Sequence, residues 1–243
     1  MADTPAQQAA AAHQAASPGH AAGPPLSATA RTRLRRAKDK GRSGREHLRA
    51  VLRAGFVAHL GLTLDGWPMV IPTVYGFDDD HIYLHGSVAS QSLTVAGSPA
   101  CVTVTVADGL VLARSVFEHS VNYRSAMIYG VPRLITGRDE LLAGLRLVAE
   151  HVAPGQWEYA RQPNRKELAA TRLLALSLAE ASVKVRTGPP DDGDSPDAAL
   201  GLWAGELPLV ATWQEPVPDP ALPPGVGVPP HIKARAHQPA SPL

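Results

Sequence analysis

An alternation of apolar and polar residues between positions 56 and 135 constrains the fold of this chain more than any other feature of its sequence. Phe56, Ala58 and Leu60 occupy every second position, and the dipeptide Asp65-Gly66 separates them from another apolar segment. A period of two places alternate side chains on one face of a β-strand, and Asp-Gly is a strong signal for a tight hairpin turn. The residues from 56 to about 75 therefore predict a β-hairpin.

The same pattern continues after this hairpin. Three aspartates at 78–80 mark a turn into a strand at 82–85, and the pair Asp108-Gly109 predicts a turn between strands at 101–107 and 110–117. Further strands are expected at 122–135 and at 174–185. Several antiparallel strands joined by short turns indicate a sheet that closes on itself as a barrel.

Three other segments have helical patterns. Ser43 and Glu46 fit a capping box before a helix at 44–54, leucine spacing predicts a helix at 139–152, and Asn164 with Glu167 resembles a third helix start. Helices inserted between barrel strands place the chain in the α+β class, as an antiparallel β-barrel with flanking helices.

The two ends of the chain lack these patterns. Residues 1–30 are rich in Ala, Gln, Pro and His, and residues 210–243 are rich in Pro. Neither end has enough apolar residues to offset the entropy of ordering, so both are predicted to be mostly disordered tails around one domain at 31–209.

Charge and cysteine content narrow the class of protein. The formal net charge is +1, which argues against a protein that coats nucleic acid, and the single cysteine, Cys101, suits a reducing compartment. No apolar run approaches the ~18 residues of a membrane span, no secretory signal is evident, and the histidines lack metal-ligand spacing. We therefore expect a cytoplasmic protein without a metal site.

One charged segment has two interpretations. Residues 31–53 carry ten basic side chains against Asp39 and Glu46. They form either a nucleic-acid-binding arm or the solvated face of a leading helix, and we favour the helix. Nucleic acid is not an expected partner.

The segment IYLHGSVASQSL (82–93) also has two interpretations. A helix starting near Ser87 or Val88 would present unpaired backbone N–H groups to a phosphate, with hydroxyls of Ser87, Ser90 and Ser92 as further donors and Gly86 allowing close approach. Alternatively, Ser87 only caps the helix, which the spacing alone favours.

Two further segments carry the same ambiguity. Pro72 removes a donor from its strand, which predicts an edge or irregular strand whose free backbone groups suit either a planar ligand ring or an ordinary barrel edge. The dense polar residues of HSVNYRS (119–125) at a strand entry are explained equally well by function and by packing.

Taken together, these segments resemble the FMN-binding split-barrel proteins of the pyridoxamine 5′-phosphate oxidase family, especially the branch with nitroimidazole-resistance-type reductases. The resemblance covers about 31–209 and rests on the order of VIPTVYG (70–76), YLHGSVASQSL (83–93), the hairpin at 101–130, KVRTGPP (184–190) and WAGELPL (203–209). It implies a split barrel that forms a homodimer, with FMN in two clefts at the interface. It also implies hydride transfer at flavin N5 to or from a small molecule, with NADH or NADPH as a candidate donor.

The resemblance also implies contacts. The FMN phosphate would meet His85, Gly86, Ser87, Ser90, Gln91 and Ser92, and the ring would lie against the backbone of Ile71, Pro72, Thr73 and Val74. Further cofactor or interface contacts would come from Asn122, Tyr123, Arg124 and Ser125, with Trp203 reaching the site from the partner subunit. A donor or cation near N1 and O2 would stabilise the reduced ring, and the candidates are Arg124, Arg186 and backbone N–H groups. No catalytic residue is identified.

Two departures from the family shape the expected function. Relatives often carry Lys or Arg where this chain has Gln91, so the phosphate would lack one charge-assisted contact. The residues after Trp203 contain no arginine to hold a substrate phosphate, so oxidation of vitamin B6 is not expected. The alternative function is a non-catalytic carrier of flavin, deazaflavin or haem.

Overall fold

The computed structural model describes residues 25–36, 38–91, 93 and 96–241 of the chain. Within them, ten strands form one antiparallel sheet that curls into an open half-barrel. The strands are β1 (Gly41–Arg42), β2 (Val57–Leu64), β3 (Trp67–Phe77), β4 (His81–Ser87), β5 (Ala100–Leu112), β6 (Ser120–Gly130), β7 (Arg133–Leu134), β8 (Thr171–Ser177), β9 (Ala181–Arg186) and β10 (Gly205–Pro208).

Five α-helices flank the sheet in the described residues. They are α1 (Arg45–Ala54), α2 (Arg138–Val152), α3 (Gln156–Tyr159), α4 (Arg165–Ala169) and α5 (Pro230–Lys233). The strand order is β1-β9-β6-β5-β2-β3-β4-β8-β7, and β10 pairs with β5. The prediction of an α+β split barrel with flanking helices is confirmed.

The barrel interior is filled by the alternate apolar residues of these strands. Leu84, Val102 and Ile128 are almost completely buried there, and α1 buries Leu48 and Leu52 in the same cluster. Full burial of such a side chain stabilises the fold by roughly 1.5–3 kcal/mol before entropy is subtracted.

Helix α2 covers the outer face of β3, β4 and β8. The contact is close at Gly76, where an added Cβ would lie 2.4 Å from the backbone nitrogen of Val148. Tyr83 and Leu173 complete this second apolar cluster. The helix therefore fixes the position of β3 and β4 at the point where the two strands pair.

Several local predictions are confirmed. Asp65 and Gly66 both have positive φ, 51° and 80°, as a two-residue hairpin turn requires. Helix α2 begins one residue before its predicted start, and Asn164 and Glu167 form the capping box of α4.

The capping box predicted at Ser43 is wrong. Helix α1 is capped by Gly44 and makes no side-chain cap hydrogen bond. Glu46 is consequently the second residue of the helix, one position short of the third, where a capping-box glutamate lies.

The predicted turn at Asp108-Gly109 is also wrong. Strand β5 runs without interruption through both residues, and its register with β6 shifts between Ala107 and Gly109. Asp108 is the extra residue of this bulge, and its carboxylate accepts two hydrogen bonds from Arg124 on the neighbouring strand.

Two predicted strands are divided. The segment 174–185 contains parts of β8, which pairs with β4, and of β9, which pairs with β6, because the chain crosses between two parts of the sheet at 178–180. The segment 122–135 likewise contains most of β6 and the short β7, which pairs with β8.

Parts of both predicted tails contact the domain in the described residues. Leu26 is buried in the barrel core, and residues 210–241 return to the domain through Trp213, whose ring centroid lies 5.5 Å from that of Phe56. Residues 1–24 are outside the described residues. The boundaries of the domain at 31 and 209 stay a prediction.

Candidate cofactor cleft

Strands β3 and β4 separate partway along their length. They pair only from Tyr75 to Phe77 on β3 and from Ile82 to Leu84 on β4. Beyond this point β3 continues to Trp67 beside β2, whereas β4 continues to Ser87 beside β8. We call the opening between residues 70–74 and 85–87 the cofactor cleft.

The β3 side of the cleft is an unpaired strand edge within the described residues. From Trp67 to Val74, β3 pairs with β2 alone, as the position of Pro72 predicts. Ile71 faces the barrel core, while Pro72 is exposed on the outer face. This edge supplies the free backbone groups that the sequence predicted beside the ring of a planar ligand.

The β4 side of the cleft carries His85, Gly86 and Ser87. Nδ1 of His85 is buried and has no hydrogen-bond partner in the described residues, and burial lowers the pKa of His85. The imidazole is therefore neutral at pH 7. A buried polar atom without a partner costs about 1–3 kcal/mol, so it marks a place where a ligand would complete the structure.

The helix predicted to start near Ser87 or Val88 is wrong in the residues described there. Strand β4 extends through Ser87, and a turn follows in which the amide of Ser90 donates to the carbonyl of Ser87. Gln91 and Leu93 then have 3-10 helical conformation, and the amide of Leu93 donates to the carbonyl of Ser90. The hydroxyl of Ser87 accepts a hydrogen bond from the amide of Ala89 at 3.2 Å, so it caps this turn. Gln91 is exposed, and Ser92 lies outside the described residues.

Residues 122–125, for which the resemblance implies cofactor or interface contacts, do not lie at the cofactor cleft of the same protomer. Strand β6 is three strands from β3, which is roughly 14 Å at the usual strand spacing. Asn122 and Arg124 face the barrel interior, whereas Tyr123 and Ser125 alternate to the outer face. A single protomer therefore does not bring these four residues to the cofactor cleft.

Asn122 and Arg186 are buried, and together with the exposed Glu206 they form a polar group that we call the Asn122 cluster. The amide nitrogen of Asn122 donates to Glu206 at 2.6 Å and to the carbonyl of Gly188 at 3.2 Å, and its oxygen accepts from Arg186. Arg186 is 5% exposed and also donates to the carbonyl of Pro189 at 3.1 Å. The groups of the cluster make most of their hydrogen bonds with one another and with backbone carbonyls, although Nε of Arg186 is buried without a partner in the described residues.

Arg124 and Trp203 have separate environments. The guanidinium of Arg124 lies 2.8 Å from the carboxylate of Asp108, which neutralises its charge in this protomer. Trp203 is 68% exposed just before β10, at the β5 end away from the cleft. Its contact with a partner subunit stays a prediction.

Sequence reasoning did not single out His59. One row of paired residues crosses four strands in the order Met127, Thr103, His59 and Pro72, and His59 is exposed on this outer face. Beside it, Gly61 contributes to a cavity of about 380 Å3. The only signal in the sequence is the alternation of β2, which places position 59 opposite the buried face.

The described residues support neither a metal site nor a membrane-spanning helix. No group of three His, Cys, Asp or Glu side chains there could hold a metal ion. Among the described helices, none combines the length and hydropathy that a membrane crossing needs.

Comparisons with known proteins give consistent results. A family model described as pyridoxamine 5′-phosphate oxidase matches residues 44–185. No curated protein shows a significant sequence match. The flavocytochrome Anf3 from Azotobacter vinelandii is 37% identical with a TM-score of 0.82, and the match covers 86% of this chain and 98% of that one.

Two other solved structures extend this result. An FAD- and haem-binding protein from Mycobacterium smegmatis is 36% identical with a TM-score of 0.79, covering 84% of this chain and all of that one. A 5-nitroimidazole antibiotic resistance protein from Bacteroides thetaiotaomicron is 19% identical with a TM-score of 0.50, covering 60% of this chain and 86% of that one. The last similarity concerns the fold alone.

Proposed function

Because the chain belongs to the pyridoxamine 5′-phosphate oxidase family, we propose that it is a flavin-dependent oxidoreductase whose flavin binds in the cofactor cleft. The observation that carries the proposal is the separation of β3 and β4 beside the unpartnered Nδ1 of His85. The two motifs expected to contact the ring and the phosphate meet at this opening.

The residues of the cleft fit a flavin held mainly by neutral groups. Nδ1 of a neutral imidazole donates or accepts according to its tautomer, so His85 can complement either kind of ligand atom. The free edge of β3 offers backbone groups to a planar ring. The described cleft residues include no cation, and Gln91 stands where relatives often carry one, so we expect modest affinity.

When bound, a flavin supplies hydride transfer at N5. The chain's own residues then need only bind and orient the ring and the substrate, which agrees with the absence of a recognisable catalytic triad. Stabilisation of charge near N1 and O2 falls to backbone N–H groups or to a partner subunit, because Arg124 is paired with Asp108. We further propose a cytoplasmic homodimer that shares the site, with NADH or NADPH as electron donor.

The nature of the flavin is part of the proposal. The family resemblance implies FMN, whereas one 36%-identical neighbour is an FAD-binding protein. Release of the cofactor by heat, followed by chromatography against FMN and FAD standards, distinguishes the two. Light scattering with and without bound flavin tests the homodimer.

An absorbance spectrum of the purified protein is the main experiment. We expect the two visible bands of an oxidised flavin, either at once or after addition of FMN or FAD. Rapid bleaching by NADH or NADPH would support an oxidoreductase, and binding without bleaching by either nicotinamide would favour a carrier. A colourless protein that takes up neither flavin would overturn both.

Haem is a second candidate cofactor. Two neighbours at 36% and 37% identity are a haem-binding protein and a flavocytochrome, and haem iron commonly takes a histidine as axial ligand. His59 is exposed on the outer face near the 380 Å3 cavity, where an imidazole could ligate iron. A haem absorption band that the His59→Ala variant loses while it retains flavin would support this candidate.

A further inference from the structure

The C-terminal segment forms an apolar pocket against the end of α2. Its volume is about 340 Å3, which is within the range of small-molecule sites. We call it the C-terminal pocket, and it is lined by Val152, Ala153, Trp213, Gln214, Pro216, Ile232, Arg235 and Ala236. Most of these residues come after position 185, where the family match ends.

The walls of this pocket are held in place. Trp213 stacks near Phe56, its amide donates to the carbonyl of Gln238 at 3.0 Å, and its carbonyl accepts from the amide of His237 at 2.8 Å. Pro216 and Ile232 also border a second cavity of about 280 Å3. A ligand would therefore enter a preformed site with room for an extended apolar group.

A single cation lines the pocket. The guanidinium of Arg235 lies 4.5 Å from the centre of the Trp213 ring and donates to the carbonyl of Val152. Both partners are neutral, and no carboxylate of the described residues forms an ion pair with Arg235. Burial lowers the pKa of Arg235, and its positive charge helps to lower the pKa of His151 nearby. The positive charge of Arg235 therefore acts on neighbouring groups, and no acidic group of the described residues balances it.

We propose that the C-terminal pocket binds a small apolar carboxylate. The carboxylate would pair with Arg235 in a partly desolvated setting, where a guanidinium and a carboxylate form strong charge-assisted hydrogen bonds. The apolar part of the ligand would lie between Trp213, Pro216 and Ile232. This site is additional to the cofactor cleft and does not depend on flavin binding.

Calorimetric titration of the full-length protein with octanoate tests the proposal. We expect saturable binding, with 1-octanol, which has the same chain without the charge, binding at least tenfold more weakly. Arg235→Gln should weaken octanoate binding at least tenfold. Arg53→Gln, which removes an exposed arginine on α1, is the matched control and should bind as the unaltered chain does.

A second pair of variants separates loss of charge from loss of structure. Ala236→Leu, which fills the pocket, should abolish binding of both probes. Arg235→Lys keeps the charge without the planar guanidinium, so it should bind octanoate more weakly than the unaltered chain but more tightly than Arg235→Gln, with the same melting temperature as Arg235→Gln. Equal binding of octanoate to the unaltered chain and to Arg235→Gln would overturn the proposal. So would a lack of saturation, preference for 1-octanol, or displacement of bound flavin by octanoate.

Discussion

The cofactor cleft and the Asn122 cluster lie on different strands of the same sheet, and both were expected from sequence to contact the cofactor. In the cluster, the buried Asn122 and Arg186 and the exposed Glu206 hydrogen-bond one another, and only Nε of Arg186 is buried without a partner in the described residues. In the cleft, a strand edge is unpaired and Nδ1 of His85 has no partner in the described residues. The two polar regions therefore differ in how much hydrogen-bonding capacity is left: most of it is used in the cluster, whereas the cleft has a free strand edge as well as an unpartnered imidazole nitrogen.

This difference assigns different roles to the two regions. A network whose hydrogen bonds are mostly made fixes the positions of its strands and leaves little capacity for a ligand. An unsatisfied site carries an energetic cost that a ligand can remove. We therefore expect substitutions in the cluster to lower stability, and substitutions in the cleft to lower flavin affinity.

The largest expected effect is that of Asn122→Ala. The substitution leaves the buried guanidinium of Arg186 without its side-chain partner and removes the hydrogen bond to Glu206, so the free energy of unfolding should fall by about 2 kcal/mol. Urea denaturation followed by circular dichroism measures it. Ser125→Ala, on the outer face of the same strand, is the control and should change stability by less than about 0.5 kcal/mol. If Asn122→Ala lost flavin binding at unchanged stability, the assignment of a structural role to the cluster would be wrong.

A smaller effect is expected for His85→Leu. Replacement of an unpartnered imidazole by an apolar side chain should not lower stability, but it should weaken flavin binding about tenfold, or about 1.4 kcal/mol. Quenching of flavin fluorescence on titration gives the affinity. His47→Leu, on the exposed side of α1, should bind flavin normally. If His85→Leu destabilises the protein and leaves the affinity intact, the role of the cleft is purely structural.

We expect low pH to destabilise the protein through protonation of Asp192. The amide and guanidinium of Arg114 hydrogen-bond the carboxylate of Asp192 and hold its pKa below the usual 3.8. The stability from this pair is fully present above the ordinary pKa and is lost as the pH falls through the lowered folded-state value. Asp192→Asn should therefore flatten the loss of stability between about pH 4 and pH 2.

Thermal denaturation over this pH range tests the acid dependence, with Asp197→Asn as the control. The control should retain the slope of the unaltered chain. An identical acid slope in Asp192→Asn would show that the pair with Arg114 adds nothing measurable to the fold.

The smallest expected effect is that of Gln91→Lys. A cation at this exposed position should tighten flavin binding by about threefold, since exposed charge pairs contribute only ~0.2–1 kcal/mol. The gain should disappear at high salt. Ala160→Lys adds the same charge at an exposed position after α3 and should leave affinity unchanged. A gain that persists at high salt would indicate a cause other than charge.

The sequence predicts the elements better than it predicts their partners. Periodicity and turn residues identify the hairpin at Asp65-Gly66 and helix α2, because these signals depend on near neighbours in the chain. Asp108-Gly109 carries the same local signal as Asp65-Gly66, but it forms a bulge whose aspartate meets Arg124. That outcome depends on an adjacent strand and has no local signature.

Prediction of the site from the sequence is limited in the same way. Pro72 correctly predicts an unpaired strand edge, since a missing N–H group is a property of the residue itself. The pairing of Asn122 with Arg186 and Glu206 and the packing of Trp213 on Phe56 join residues far apart in the chain. Neither contact leaves a periodic pattern. The polar residues at 119–125 therefore fitted function and packing equally well, and composition suggested disorder at 210–243.

The unpaired edge of β3 has a consequence for the behaviour of the protein before any cofactor arrives. An exposed strand edge is a template on which another chain can add a strand, and this is a common start of aggregation. Pro68 and Pro72 remove two N–H groups from this edge at an interval of four residues, which interrupts the ladder that an incoming strand would need. The residues that leave the edge available to a small ligand thus also protect a newly made chain from polymerising.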